Sequence, residues 1–142
     1  MGDINLFQVR QFSLLGRLLY ESRGVLGYVK YPYIYFRKDI YENLKSDKPD
    51  PVNKGMLLHE FRHIERMEEI GVFKFKMKYI FSLKFRLQEE LEADKVRFRY
   101  FKDNNVAFDL EGRARRLSGI MYLWMISYPR AIQLINEVWD NA

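Results

Sequence analysis

The segment LLHEFRHIERMEEIG, residues 57–71, carries the pattern that decides both the fold and the chemistry expected of this chain. His59 and His63 are four residues apart, so on a helix their imidazole rings lie one turn apart on the same face and can bind one metal ion. Glu60 follows His59 directly and lies beside such an ion rather than on it, which is the position of a general base for a water molecule. The HExxH pattern therefore predicts a helix that carries a metal site together with its base.

The composition limits what can complete this site. The 142 residues include no Cys and only two His, both in the HExxH segment. This excludes disulfides, a thiolate nucleophile and Cys-ligated metals, and it leaves a carboxylate as the third protein ligand. The acidic cluster downstream predicts Glu90 as that ligand, with Glu89 and Glu92 as alternatives. Asp94, one helical turn after Glu90, can accept a hydrogen bond from the outer ring nitrogen of a ligating histidine.

Both features also have a purely structural interpretation. Two histidines can cover the edge of a core, and an acidic cluster near the start of a helix can be a solvated face. However, Leu57, Phe61 and Ile64 already form an apolar stripe on the HExxH helix, so the histidine face is free for another role. The sequence therefore favours metal binding, with Zn²⁺ as the expected ion.

A family resemblance rests on the same residues. HEFRH, followed after 26 residues by ELEAD, resembles the HExxH…ExxAD pattern of the gluzincin metallopeptidases, a group that includes HtpX-like and CAAX-prenyl-protease-like enzymes. The flanking segment is also similar to small bacterial zincin-like domains that read HExxHxxQ, with Arg66 here at the Gln position. The resemblance covers roughly residues 30–100 and implies a zinc-dependent peptidase. Its implied zinc ligands are His59, His63 and Glu90, its catalytic base is Glu60, and its supporting carboxylate is Asp94.

A peptidase of this kind needs two further parts. One is a donor that stabilises the oxygen on which negative charge develops. The candidates by chemistry are Tyr122, Arg113, Arg115 and Arg116. The other is a strand edge that pairs with the peptide or protein substrate, and the aromatic and β-branched run over 26–36 can supply it. Pro32 inside this run has no amide hydrogen, so it places the strand at a sheet edge or breaks it.

The whole pattern predicts a mainly helical α+β fold, which we describe as a minimal zincin-like domain over 1–142 with a small antiparallel sheet and an HExxH helix. A first helix is expected from Asp3 to Gly24, with apolar residues at three- and four-residue spacing. The HExxH helix is expected over 51–70, because Asp50 can cap it, Pro51 suits its first turn and Gly71 suits its end.

The second half of the chain is predicted to be helical. Residues 72–87 alternate as a strand would, but Phe73, Met77, Ile80 and Phe81 also share a helical face, and the length of the run favours a helix. Further helices are expected over 88–101, over 109–117 with Asp109 as the cap, and from about Pro129.

Charge and hydropathy leave other partners open. The net charge of +5 specifies no partner, but basic residues interleaved with aromatics can bind nucleic acid. That alternative rests on a basic face made of Lys74, Lys76, Lys78, Lys84, Arg86, Arg97 and Arg99. A second alternative is an inactive zinc-binding relative that acts as an interaction module. No apolar run is long enough for a transmembrane helix or a signal peptide, so a cytoplasmic protein is expected, and the oligomeric state stays open.

Overall fold

The computed structural model describes residues 6–142, which form seven α-helices, three short 3₁₀-helices and one sheet of three strands. The helices are α1 (Leu14–Tyr20), α2 (Lys38–Leu44), α3 (Pro51–Ile70), α4 (Val72–Phe81), α5 (Leu83–Asp103), α6 (Leu110–Leu117) and α7 (Tyr128–Asp140). The strands are β1 (Val9–Gln11), β2 (Gly27–Lys30) and β3 (Tyr33–Phe36), and the 3₁₀-helices are Leu6–Gln8, Glu21–Arg23 and Ile120–Tyr122. The mainly helical α+β class expected from the sequence is confirmed.

The HExxH helix α3 has the bounds that the sequence predicts. The side chain of Asp50 accepts a hydrogen bond of 2.7 Å from the amide of Val52, which caps the helix start. Gly71 follows the last turn with a positive φ of 93°, a conformation that glycine adopts without a steric penalty. Leu57 and Ile64 of the predicted apolar stripe are buried in the core beneath the sheet.

The sheet is mixed, which corrects the expectation of an antiparallel sheet. Its strand order is β1-β3-β2, with β2 antiparallel to β3 but β1 parallel to it. The run over 26–36 is broken at Pro32, which is one of the two outcomes expected from the sequence, because the chain turns at Tyr31 and Pro32 and forms a hairpin. In β1, Val9 pairs with Ile34, and both side chains are buried in the same core cluster. This strand therefore forms because of a contact between residues that are far apart in the sequence.

The N-terminal helix is much shorter than predicted. α1 begins at Leu14, where Ser13 accepts a hydrogen bond of 3.1 Å from the amide of Gly16. The predicted cap Asp3 lies outside the described residues, and β1 occupies part of the segment expected to be helical. The leucines of α1 are mostly exposed, so their helical spacing does not mark a face packed on the core.

The run over 72–87 is helical, as the sequence favoured, but it is divided at Ser82. The Ser82 side chain accepts a hydrogen bond of 3.2 Å from the amide of Phe85 and so caps a new helix. As a result α5 begins at Leu83 and not at residue 88 as expected. The predicted cap of α6 is present, because Asp109 accepts a hydrogen bond of 2.8 Å from the amide of Gly112.

The packing of α3 against α5 brings the two motifs of the sequence together. Ala93 is completely buried, and the ring of Phe101 packs where a side chain at Gly55 would otherwise lie. These small residues let the two helices approach closely, so that the HExxH segment faces the acidic cluster. Helices α6 and α7 cover the far side of α5 around Phe98 and Phe101. None of the helices in residues 6–142 combines the length and the apolar character that a membrane span requires.

Candidate metal centre

Three predicted ligands converge between α3 and α5. His59 Nε2 lies 3.4 Å from Glu90 Oε2, and His63 Nε2 lies 3.4 Å from Glu90 Oε1. All three side chains are buried, and their potential ligand atoms lie within 4.8 Å of one another. In a tetrahedral site with metal–ligand distances near 2.1 Å, two ligand atoms are separated by about 3.4 Å. The spacing and the donor set of two imidazoles and one carboxylate therefore fit a metal ion such as Zn²⁺.

Glu90 is held in place by hydrogen bonds from three other elements of the fold. Its Oε1 accepts from the Tyr79 hydroxyl at 2.5 Å. Its Oε2 accepts from Arg113 Nη2 at 2.7 Å and from the Tyr122 hydroxyl at 3.1 Å. A ligating carboxylate is usually fixed by such bonds, and Oε1 keeps one lone pair beyond the bond from Tyr79. The surroundings of Glu90 are therefore compatible with ligation.

The protonation states suit the same role. Burial by itself would raise the pKa of Glu90, but the contacts with His59 and His63 outweigh burial and hold that pKa well below its usual range. Glu90 is therefore an anion at neutral pH. Burial and the nearby charge of Glu90 raise the pKa of Tyr79 well above its usual value. This phenol therefore stays protonated and donates a hydrogen bond to the carboxylate.

Asp94 lies behind His59, where the sequence predicts a supporting carboxylate. Its Oδ1 is 3.0 Å from His59 Nδ1, within ion-pair distance, although the two atoms do not form a regular hydrogen bond. Asp94 is completely buried, and it also binds Arg97 and, at 2.7 Å, Arg113 Nε. Burial would raise the pKa of Asp94, but the charges of Arg113 and Arg97 lower it further than burial raises it. Asp94 and Glu90 thus together balance the charges of two buried arginines, Arg97 and Arg113.

The two histidine rings have different neighbours. Burial lowers the pKa of His59, but Asp94 and Glu90 together raise it above its usual value. The ring of His63 packs edge-on against Phe75 and Tyr79, with centroids 6.1 and 6.2 Å away, and its Nδ1 has no hydrogen-bond partner among residues 6–142. Both rings direct Nε2 toward Glu90.

Glu60 lies at the wall of a cleft of about 680 Å³ that opens onto this group. The cleft is lined on one side by α3 with His59, Glu60 and His63, and on the other by β2 and the segment that contains Tyr122. Within residues 6–142 no hydrogen bond or ion pair involves the Glu60 carboxylate, which is half-buried. A free carboxylate next to the histidine pair is available to accept a proton.

The other residues named from the sequence lie outside the His/His/Glu group. Glu89 is buried and binds Arg66 Nε at 3.0 Å, and Glu92 is exposed on another face of α5. Arg115 is exposed and pairs with Glu111 at 3.6 Å. Of the four candidate oxyanion donors, Arg113 and Tyr122 contact Glu90 directly, whereas Arg116 lines the cleft without touching it.

Two of the seven residues of the basic face expected for nucleic acid are buried. Arg86 is buried and donates to the main-chain oxygens of Tyr79 and Ile80 at 2.8 and 3.0 Å. Arg97 is buried against Asp94. Two of the seven basic residues are therefore occupied inside the protein, and neither is available to a phosphate group.

Sequence reasoning did not identify Tyr79 and Arg97 as members of the site. Arg97 carries a detectable signal, because it lies three residues after Asp94 on one helix and so on the same face. Tyr79 carries none, because its contact with Glu90 depends on how α4 turns back after Gly71.

Comparison with known proteins gives no relative. No family model, curated protein or solved structure matches the chain.

Proposed function

We propose that the protein is a zinc-dependent peptidase that hydrolyses peptide bonds with Glu60 as general base. The observation that carries this proposal is the convergence of His59, His63 and Glu90 on one point, at a cleft that also holds the unpaired carboxylate of Glu60. Two histidines and one glutamate are the donor set of catalytic zinc sites that keep a fourth position open.

The roles of the side chains follow from their surroundings. A zinc ion held by these ligands would polarise a carbonyl group and lower the pKa of water. Glu60 would accept a proton from the attacking water and pass it to the amine that leaves when the peptide C–N bond breaks. Asp94 would hold the ring of His59, because their closest atoms are 3.0 Å apart.

Tyr122 is the best placed donor for the oxygen on which negative charge develops. Its hydroxyl lies 3.1 Å from Glu90 Oε2 and it also lines the cleft. Burial raises its pKa above the usual value, so the phenol stays protonated, and its single O–H, which Glu90 accepts in this structure, would turn to the oxygen on which charge develops. Arg113 lies behind it, with Nη1 3.2 Å from the Tyr122 hydroxyl oxygen. We assign Tyr122 this role and Arg113 the role of positioning it.

The outer edge of β2, which is unpaired within residues 6–142, supports a peptide as substrate. β2 is an edge strand, and Gly27, Tyr28 and Val29 line the cleft. The amide of Arg37 donates to the carbonyl oxygen of Leu26 at 3.0 Å. Because successive residues of an antiparallel strand direct their N–H and C=O groups alternately toward and away from the partner strand, those of Gly27 and Val29 are directed away from β3. An extended peptide could pair with these groups beside the metal ligands.

The test is cleavage of fluorescence-quenched peptide libraries by the zinc-loaded protein and by Glu60→Gln. We expect the variant to bind zinc normally but to lose about 10²- to 10⁴-fold in kcat/KM. Glu68→Gln is the matched control, since Glu68 is an exposed residue of the same helix, and its activity should be unchanged.

The outcomes separate the peptidase from the alternatives. If the protein binds zinc but neither it nor Glu60→Gln cleaves any peptide, the inactive interaction module is the better account. If cleavage is the same with and without Glu60, the assigned base is wrong. If no zinc binds, both zinc-based functions fail.

A further inference from the structure

Helix α4 presents an apolar face to solvent instead of to the core. Phe73, Met77, Ile80 and Phe81 share one side of the helix and are 77%, 40%, 58% and 77% exposed. The inward side is provided by Phe75, which is buried, and by Tyr79, which binds Glu90. A helix with an apolar outer face leaves large apolar side chains in contact with water, and such patches mark sites of interaction.

A neighbouring segment extends this apolar surface. Arg86 links the two, because its Nη2 donates to the oxygen of Ile80 at 3.0 Å and its Nη1 donates to that of Tyr122 at 3.3 Å. The segment beside Tyr122 exposes four large apolar side chains. They are Ile120, Met121, Leu123 and Trp124, at 64%, 49%, 59% and 65%. Together with the exposed face of α4 they form what we call the outer apolar surface.

The backbone of this segment is unusual at two of these exposed residues. Leu123 and Trp124 have positive φ angles of 56° and 48°, in the left-handed region that residues with a Cβ rarely adopt. Two successive residues in this region are unfavourable unless the surroundings impose them. The outcome is that two large apolar side chains stand in solvent next to α4.

The segments that carry the outer apolar surface are basic. Residues 72–88 and 112–136 contain nine Lys and Arg and no Asp or Glu, and seven of these nine are exposed, since Arg86 and Arg113 are buried. On α4, Lys74 and Lys76 lie at the two borders of the apolar face, as its helical periodicity places them. Apolar and aromatic side chains bordered by lysines are the features of a helix that lies in a membrane interface.

We propose that the outer apolar surface docks on an anionic lipid bilayer. The seven exposed lysines and arginines of these segments complement anionic headgroups, and they oppose the alternative of a second copy of this chain, because pairing two such surfaces would bring like charges together. No described helix is suited to span a bilayer, so the contact would be peripheral. Lys76, Ile80 and Ile120 also line the cleft, so docking would place its mouth beside the lipid.

The experiment is flotation of the purified protein with vesicles of phosphatidylcholine alone and of phosphatidylcholine mixed with phosphatidylglycerol. We expect binding to the mixed vesicles, weakened by salt, and little binding to the neutral ones. Phe81→Ser and Trp124→Ser should each weaken binding at least about tenfold, and Lys74→Ala about fivefold. These side chains are exposed, so the changes leave the core intact.

Val52→Ser is the matched control, because Val52 is also an exposed apolar residue, at 41%, but it lies in the first turn of α3. It should float as the unchanged protein does. The proposal is overturned if no anionic vesicle binds at low salt, if neutral vesicles bind equally well, or if Phe81→Ser and Val52→Ser behave alike. It is also overturned if light scattering shows a dimer that Phe81→Ser dissociates while vesicle binding is absent. None of these results depends on peptidase activity.

Discussion

Replacement of Asp94 by asparagine should destabilise the metal-free protein severely. Asp94 is completely buried and is the carboxylate that faces both Arg97 and, at 2.7 Å, Arg113 Nε. The variant keeps the shape of the side chain but leaves two buried cations with too little negative charge. Removing one partner from a buried ion pair costs about 3–5 kcal/mol in the free energy of unfolding. With a urea m-value of about 2 kcal/mol/M, the unfolding midpoint should fall by about 2 M.

The matched control is Asp39→Asn. Asp39 forms the same kind of paired contact, with Arg37 Nε at 2.6 Å and Nη2 at 2.7 Å, but this ion pair is exposed. An exposed ion pair stabilises a protein by at most about 1 kcal/mol, so the urea unfolding midpoint of Asp39→Asn should fall by about 0.5 M or less. Both variants would be unfolded in urea with EDTA present, which removes any contribution from bound metal.

The pH dependence of the free energy of unfolding gives a second test of the role of Asp94. The folded-state pKa of Asp94 is depressed, so its stabilising effect is complete above the unfolded-state pKa of about 4 and is lost as the pH falls below it. The difference between the unchanged protein and Asp94→Asn should therefore shrink in acid. A loss of stability in Asp94→Asn no larger than in Asp39→Asn would refute the buried charge network.

Two further results are expected. Gly55→Ala should lower the free energy of unfolding by about 1–3 kcal/mol in urea titrations, because the added methyl group meets the ring of Phe101, and an unchanged midpoint would contradict the close packing of α3 on α5. Zinc affinity, measured by competition with a chromophoric chelator, should fall up to about tenfold per pH unit as the pH drops through the pKa of His59. Burial lowers that pKa but Asp94 and Glu90 raise it above its usual value, so the fall begins above about pH 6.5, and an affinity independent of pH would count against His59 as a ligand.

Local signals in the sequence were sufficient for α3 and α6. Asp50, Gly71 and Asp109 each act on backbone groups a few residues away, so their effect can be predicted without knowledge of the rest of the fold. The same holds for His59 and His63, whose common face follows from helical spacing alone. Because the chain has no other His and no Cys, the sequence predicted a third ligand from the acidic cluster, and the structure places Glu90 beside both rings.

Contacts between distant segments could not be predicted in the same way. β1 exists because Val9 pairs with Ile34 and is buried with it, although the local pattern suggested a helix. The shared face of Phe73 and Phe81 indicated a helix correctly, but periodicity does not say whether an apolar face meets the core or the solvent. Tyr79 joins the site only because α4 folds back over α3, and nothing in its neighbours along the chain marks it.

Zinc content shows whether His59, His63 and Glu90 bind one metal ion. Elemental analysis and native mass spectrometry after exposure to zinc and dialysis should show stoichiometric zinc in the unchanged protein and none in His63→Ala. Glu92→Gln, in the exposed part of the same acidic cluster, should retain the full amount. Absence of zinc from the unchanged protein, or equal zinc in His63→Ala, would contradict the account and leave both histidines with a structural role only.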